Sequence, residues 1–305
     1  MTFGYGVNDG ERYSDLLNGI LGDRAIAFTS GYADGFSPVD YAGYLRSFYS
    51  YLRPDVVVIG FFPENDVVND VVTRHVVRDD HGDIIETKLN GFSVADGFLS
   101  ADSGRRSGTA RAAVRIKNWM WDTFAVYRLA EGTRNFVRYW LHPDLQNTQL
   151  PSFFFGHPSN QQEIAITLGA LDQMDRFLEA RGKTLLVFFI PSNFQISQRY
   201  EASVTGRPGY RASSEQMATA RQILEPQTSF SRWLLEKHIR YIDPTEEFIG
   251  AERQGVHLYF DYDGHLNRHG HALVAKLVED YLLRDRMVPC AFPTPQAAAG
   301  AGCPT

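Results

Sequence analysis

The stretch PDVVVIGFFPEND, at positions 54–66, decides the fold that we predict for this chain. Its apolar run from Val56 to Gly60 is continuous, which is typical of a parallel strand that is buried on both faces. Pro54 and Asp55 end the helical pattern before it, and the residues from Pro63 onward form the exit loop. The stretch therefore predicts a buried strand of an α/β fold, followed by a loop that can carry chemistry.

Helical and strand patterns alternate on both sides of this stretch, as expected for a parallel sheet with helices on both faces. An apolar stripe that ends at Gly22 predicts a helix over residues 11–22, and Ser37 followed by Pro38 predicts the start of another. We predict further strands at residues 24–28, 184–190 and 240–243, and further helices from Ser159 to Gly182, from Ser213 onward and from Gly270 to Leu283.

The chain divides into a core and an insertion. We predict that residues 1–69 and 159–286 form the core, because the alternating rhythm stops after Asp66 and resumes at Ser159. Residues 70–158 are predicted to be the insertion. The Pro/Ala/Gly-rich residues 287–305 are predicted to be a disordered tail.

The insertion has two parts. Residues 73–77 and 84–89 are rich in strand formers and predict a hairpin. Residues 109–141 predict helices that mix arginines with aromatic side chains, and we interpret them as a candidate cap or lid. An amphipathic packing surface is the commoner origin of such a pattern, so both interpretations stay open.

Composition excludes several classes of function. The 305 residues are 44% hydrophobic, which is enough for a large core, and a net charge of -6 argues against a nucleic-acid-binding protein. The two cysteines, Cys290 and Cys303, predict neither a disulfide framework nor a thiolate metal site. No paired His/Asp ligand motif has convincing spacing, so we predict no metal and no cofactor. Apolar runs are strand-sized, far below a membrane span.

Candidate catalytic residues follow the predicted strands. Gly35, Asn65 and Asp66 lie in such loops, and Asp263 and His265 lie in the loop before the last helix. Ester hydrolysis needs a nucleophile, a base and donors to the developing oxyanion. We predict His265 as the base, Asp263 as its orienting acid, Asn65 and Gly35 as oxyanion donors, and Asp66 as a substrate-binding residue.

Taken together and in this order, these residues resemble the SGNH (GDSL) hydrolase family, which is named for serine, glycine, asparagine and histidine in four sequence blocks. Thr2-Phe3-Gly4 matches the positions that follow the family serine, Gly35 the second-block glycine and Asn65 the third-block asparagine. Asp263 and His265 match the final acid and base. The resemblance implies a flavodoxin-like three-layer sandwich and a serine esterase activity.

The chain departs from the family pattern in two ways. The family often places the acid three residues before the histidine, where Tyr262 stands, so Asp261 remains a minor alternative to Asp263. The serine is absent, because it would directly precede Met1. We expect the serine and the first central strand to lie upstream of Met1, with any export signal, and we expect the chain by itself to be inactive and poorly folded.

Each signal alone also has a plainer interpretation. Asn65-Asp66 is an ordinary turn pair, and Gly35 is explained equally by a loop with positive φ. The Asp-Gly-His segment can be a turn with a surface histidine, and we interpret His269 and His271 as helix-start residues. The joint order of the blocks favours the catalytic interpretation.

The substrate is expected to be a small-molecule or carbohydrate ester, because the basic and aromatic insertion suits an acylated polysaccharide or an anionic ester. Similar bacterial proteins include carbohydrate O-acetyl esterases and acetyltransferases of exopolysaccharide systems. Two alternatives to hydrolysis therefore stay open: an O-acetyltransferase of a polysaccharide system, and a non-catalytic carbohydrate-binding relative.

Overall fold

A computed structural model describes residues 6–29, 36–63, 66–67, 75–89, 92–95, 98–101, 161–200, 227–261 and 264–288. The helices are α1 (Tyr13–Leu21), α2 (Pro38–Leu52), α3 (Gln161–Glu179), α4 (Asn193–Ile196), α5 (Gln227–Glu236), α6 (Thr245–Arg253) and α7 (Arg268–Arg284). The strands are β1 (Val56–Phe61), β2 (His75–Arg78), β3 (Ile84–Leu89), β4 (Phe92–Ala95), β5 (Phe98–Ala101), β6 (Thr184–Phe189) and β7 (Arg240–Ile242).

The core is a parallel sheet in the order β1-β6-β7. Strand β1 pairs with β6 along its whole length, from Val56 opposite Thr184 to Phe61 opposite Phe189. Strand β7 adds to the other side of β6, with Leu186 opposite Arg240. The predicted α/β class is confirmed, and the carboxyl ends of all three strands lie at one edge of this sheet.

Helices cover both faces of the sheet. Side chains of β6 alternate between the faces, and their apolar character on both sides explains why the sequence run is continuous. On one face, Leu185, Val187 and Phe189 pack with residues of α2, α3 and α5; on the other, Leu186, Phe188 and Ile190 pack with residues of α1, α6 and α7. The fold is therefore a three-layer α/β sandwich.

Helix ends follow the predicted signals. Helix α1 ends at Gly22, which has a φ of 54°, and its amide donates to the carbonyl of Asn18. Helix α2 begins at Pro38 after Ser37, whose amide and hydroxyl both donate to the Asp40 carboxylate. Both predicted helices are confirmed.

The strand predicted at residues 24–28 is not found: Arg24 ends a 3-10 turn (Gly22–Arg24), and residues 25–28 have no strand assignment. Within the described ranges, β1 has a strand partner on one side only, so no ladder holds this segment. The amide of Ala27 instead donates to Asn18 Oδ1 at 3.0 Å. Ile26 and Phe28 are 84% and 53% exposed as a result.

The predicted hairpin is confirmed as β2 and β3, which pair antiparallel. Strands β4 and β5 extend it to a four-stranded sheet; these two strands were not predicted, because their runs are short and lie in a Gly/Ser-rich stretch. Its turn is held at Asp79 and Asp83 by Arg46 of α2 and Arg176 of α3. Arg176 lies shortly before β6 begins, so the turn lies toward the amino-terminal edge of the core sheet.

The predicted cap helices at 109–141 lie outside the described residues.

A buried glutamine joins this sheet to the core. Gln173 of α3 accepts from the Ile84 amide and donates to the Ile84 carbonyl, both at 2.7 Å. Both residues are nearly inaccessible to solvent, and Ile84 belongs to the core cluster under α2 and α3.

Within the described part of the chain, no helix is long and apolar enough to cross a membrane.

We expect Gln173→Ala to lower the free energy of unfolding by about 3 kcal/mol, because it leaves a buried amide and a buried carbonyl of Ile84 without their partner. Urea denaturation followed by circular dichroism measures the change. Gln254→Ala is the control, since Gln254 is exposed and its bonds are made by the backbone. Equal stability of the two variants would contradict the assignment.

Candidate active site

The turn after β1 is fixed by Asp66. The Phe62 amide donates to the Asp66 carboxylate at 2.9 Å, and the Asp66 amide donates to the Phe62 carbonyl at 3.0 Å. Asp66 is 4% exposed. Its carboxylate therefore shapes the loop at the carboxyl end of β1, and the substrate-binding role predicted for it stays a prediction.

His265 lies on a short hairpin that leads into α7. Tyr259 and Leu266 form an antiparallel bridge, and the Phe260 amide donates to the His265 carbonyl at 3.0 Å. The hairpin is closed again where the Asn267 amide donates to the Leu258 carbonyl at 2.9 Å. His265 is partly exposed at the start of the second arm, and its Nδ1 atom is buried.

Two contacts place this hairpin within the fold. The Tyr259 hydroxyl donates to the carbonyl of Pro191, two residues after the end of β6. At the amino end of the chain, Gly6 has a φ of 83°, and a β-carbon there would lie 2.8 Å from Cε2 of Phe260. The His265 hairpin therefore lies between the carboxyl edge of the sheet and the segment that follows Thr2-Phe3-Gly4.

The side chain of Asn267 makes four hydrogen bonds. Its Oδ1 accepts from the amides of His269 and Gly270 and so caps α7, while its Nδ2 donates to the carbonyls of His257 and Tyr259. The sequence signal for the cap was present, because asparagine is a favoured N-cap residue. The two donated bonds, which close the base of the hairpin, have no such signal.

Glu252 and Tyr200 hold the first arm of the hairpin. Glu252 is 3% exposed, and its Oε1 accepts from the Tyr200 hydroxyl at 2.5 Å and from the Leu258 amide at 2.8 Å. The Tyr200 oxygen in turn accepts from the Tyr259 amide at 3.3 Å. Burial, together with the bond to Glu252, raises the pKa of Tyr200, which keeps its hydroxyl a donor.

Asp261, the alternative acid, already has a partner. Arg199 donates to both of its carboxylate oxygens, at 2.9 and 2.8 Å, and this pairing lowers the pKa of Asp261. Arg199 also donates to Nε2 of His257, whose Nδ1 lies 3.0 Å from Glu252. Since arginine can only donate, Nδ1 carries the proton and donates to Glu252. Asp261 is thus held by Arg199, and the choice between Asp263 and Asp261 as the orienting acid stays a prediction.

Three predicted site residues, Gly35, Asn65 and Asp263, lie outside the described residues. Of the predicted set, the structure therefore places Asp66 and His265. Among the residues that it describes, no group of three or more His, Cys, Asp or Glu side chains is arranged to hold a metal ion.

The two histidines at the start of α7 differ. His269 is exposed, whereas His271 is 1% exposed, stacks on Tyr13 and accepts from the Tyr13 amide at 3.3 Å. Burial lowers the pKa of His271 to about 4. His271 is thus a core residue that joins α1 to α7 in its neutral form.

The parallel sheet between two helical layers defines the class, an α/β three-layer protein, in which ligands generally bind beyond the carboxyl ends of the strands. A family model described as "SGNH domain (fused to AT3 domains)" matches residues 123–280, just over half of the chain. The chain belongs to the SGNH family, as the sequence motifs predicted. No curated protein and no solved structure matches it significantly.

The matched range includes α3, β6, β7 and the His265 hairpin. It begins within residues 70–158, the predicted insertion, and does not include Gly35 or Asn65. The division into core and insertion stays a prediction.

We expect acid to destabilise the protein through His271. Its pKa is about 4 when folded and about 6.5 when unfolded, so the unfolded chain binds more protons between these values and stability falls as pH falls from 6.5 to 4. The loss from this group is about 3 kcal/mol. Urea denaturation at several pH values measures it.

His271→Asn should remove much of this pH dependence, because the Asn Oδ1 can replace Nδ1 as acceptor without titrating. His238→Asn is the matched control, since His238 is exposed and its φ of 60° suits asparagine. An unchanged slope in His271→Asn would show that His271 does not titrate in this way.

Proposed function

We propose that this SGNH domain hydrolyses acyl or carbohydrate O-acetyl esters through a serine nucleophile. His265 takes the serine proton, Asp263 orients the imidazole, and the Asn65 side chain and Gly35 amide donate to the oxyanion. The observation that carries the proposal is the position of His265, partly exposed on a hairpin that contacts the end of β6 and Gly6.

The serine of this proposal directly precedes Met1 in a longer protein, because Thr2-Phe3-Gly4 match the residues that follow it in the family. The contact between Gly6 and Phe260 supports this assignment, since it brings the segment after the motif beside the His265 hairpin. Further support comes from the side of β1 that has no strand partner within the described ranges, because the resemblance puts the strand that leads to the serine there.

The reaction follows from these groups. The serine oxygen attacks the ester carbonyl carbon as His265 accepts its proton, and the oxyanion receives hydrogen bonds from Asn65 and Gly35. The carbonyl re-forms, and the alcohol leaves with the proton from His265. Water, deprotonated by His265, then releases the acid from the serine.

Acyl transfer is the second candidate. The description of the matching family names fusion to AT3 domains, a class of acyltransferase. In this variant a sugar hydroxyl replaces water in the second step. A carbohydrate-binding relative without turnover is the non-catalytic alternative.

We expect an upstream-extended protein to hydrolyse a chromogenic acetyl ester and His265→Ala to reduce kcat by about 10⁴-fold, because the serine loses its base. His269→Ala is the control, since His269 is an exposed histidine in the first turn of α7, four residues after His265. The 305-residue chain without the extension should show no hydrolysis.

The same assay separates the alternatives. Release of acetate in the absence of an oligosaccharide acceptor supports hydrolysis. Formation of acetylated oligosaccharide, with a matching decrease in released acetate when the acceptor is added, supports transfer. Absence of both reactions, together with glycan binding that survives His265→Ala, would overturn the enzyme proposal in favour of the binding protein.

A further inference from the structure

The backbone that precedes His265 has almost no regular secondary structure of its own. Within residues 257–259, Tyr259 forms a single bridge to Leu266, and two amides and two carbonyls are bonded to side chains. The Leu258 amide bonds to Glu252, and the Tyr259 amide bonds to Tyr200. Side chains therefore set the position of the hairpin.

The four residues Tyr200, Glu252, Tyr259 and Asn267 form one connected group, which we call the hairpin brace. Tyr200 is fully buried, Tyr259 is 1% exposed, and their rings meet edge to face at 5.8 Å. The Tyr200 hydroxyl donates to Glu252 and accepts from the Tyr259 amide, the Asn267 Nδ2 donates to the Tyr259 carbonyl, and the Tyr259 hydroxyl donates to the carbonyl of Pro191. Buried polar groups satisfied in this way rigidify the segment that they hold.

Asn267 connects the brace to His265 directly. It stands two residues after the histidine, and its Nδ2 bonds to His257 and Tyr259 on the opposite arm. Its Oδ1 fixes the first turn of α7 at the same time. One side chain thus sets the width of the hairpin base and the direction in which the second arm enters the helix.

We infer that Asn267 and Tyr200 are positioning residues that hold the His265 imidazole in its working place through the hairpin brace. The inference rests on the proposed function, and it adds two residues that touch neither the substrate nor the reacting atoms. If Asn267 served only as a helix cap and Tyr200 only as a core residue, substituting them would lower the stability of the protein and leave the position of the His265 imidazole unchanged.

Two neutral substitutions separate these roles. Asn267→Ser keeps an N-cap oxygen for α7 but removes both bonds donated across the hairpin. Tyr200→Phe removes a single hydroxyl, which is the donor to Glu252 and the acceptor for Tyr259, and leaves the cap intact. Neither variant changes the charge near His265, so electrostatic shifts do not confuse the result.

The first measurement is an NMR titration of the His265 imidazole in the upstream-extended protein. We expect both variants to shift the His265 ring resonances and to change their titration midpoint. Tyr49→Phe and Gln173→Ala are the matched controls, because they alter a tyrosine and a buried amide on the opposite face of the sheet.

The second measurement is steady-state ester hydrolysis by the extended protein. We expect kcat to fall by about 10- to 100-fold with KM changed less than about twofold, since misplacing a base by about 1 Å has effects of this size. The controls should retain kcat even where their stability is reduced.

Unchanged His265 resonances and unchanged kcat in both variants would overturn the inference. An extended wild-type protein without esterase activity would overturn the proposed function instead, and the NMR arm would then decide the positioning role alone. If Asn267→Ser fails to fold, Tyr200→Phe decides the question, because it leaves the α7 cap untouched.

Discussion

The pairing of β1 with β6 is the constraint on which the rest of the structure depends. Six consecutive residue pairs align the two strands in parallel, so the turn closed by Asp66 and the loop that contains Pro191 leave the sheet at the same edge. A shift of one residue would exchange the side chains that face α2 with those that face α7, which is incompatible with two apolar layers. The candidate site inherits its position from this register.

The His265 hairpin differs from the sheet in how it is held. Sheet strands are fixed by backbone ladders, whereas the hairpin depends on a few buried side chains from distant parts of the chain. Tyr200 lies 65 positions before His265 in the sequence, yet it bonds to the backbone of the same hairpin. In the proposed mechanism, this support from buried side chains would fix the position of the His265 base.

The sequence predicted most of the fold because its signals were local. Gly22, Ser37 and Pro38 marked helix ends through backbone chemistry, and the run from Val56 marked a strand through burial on both faces. Helix α6 and the strands β4 and β5 were missed because their apolar patterns are short. Of the site, the family match indicated His265, and the loop after the predicted strand indicated Asp66. The hairpin brace was not predicted, because its members are separated in sequence and are brought together only by folding.

The exposed apolar side chains around Ile26 affect how the protein behaves at high concentration. The side chains of Ile26 and Phe28 are exposed to solvent, and within the described residues the backbone of this segment pairs with no strand. Surfaces of this kind recruit strands from other molecules, and intermolecular sheets grow from them. For the 305-residue chain by itself, we therefore expect self-association to begin at this surface, and charged substitutions at Ile26 or Phe28 to reduce it.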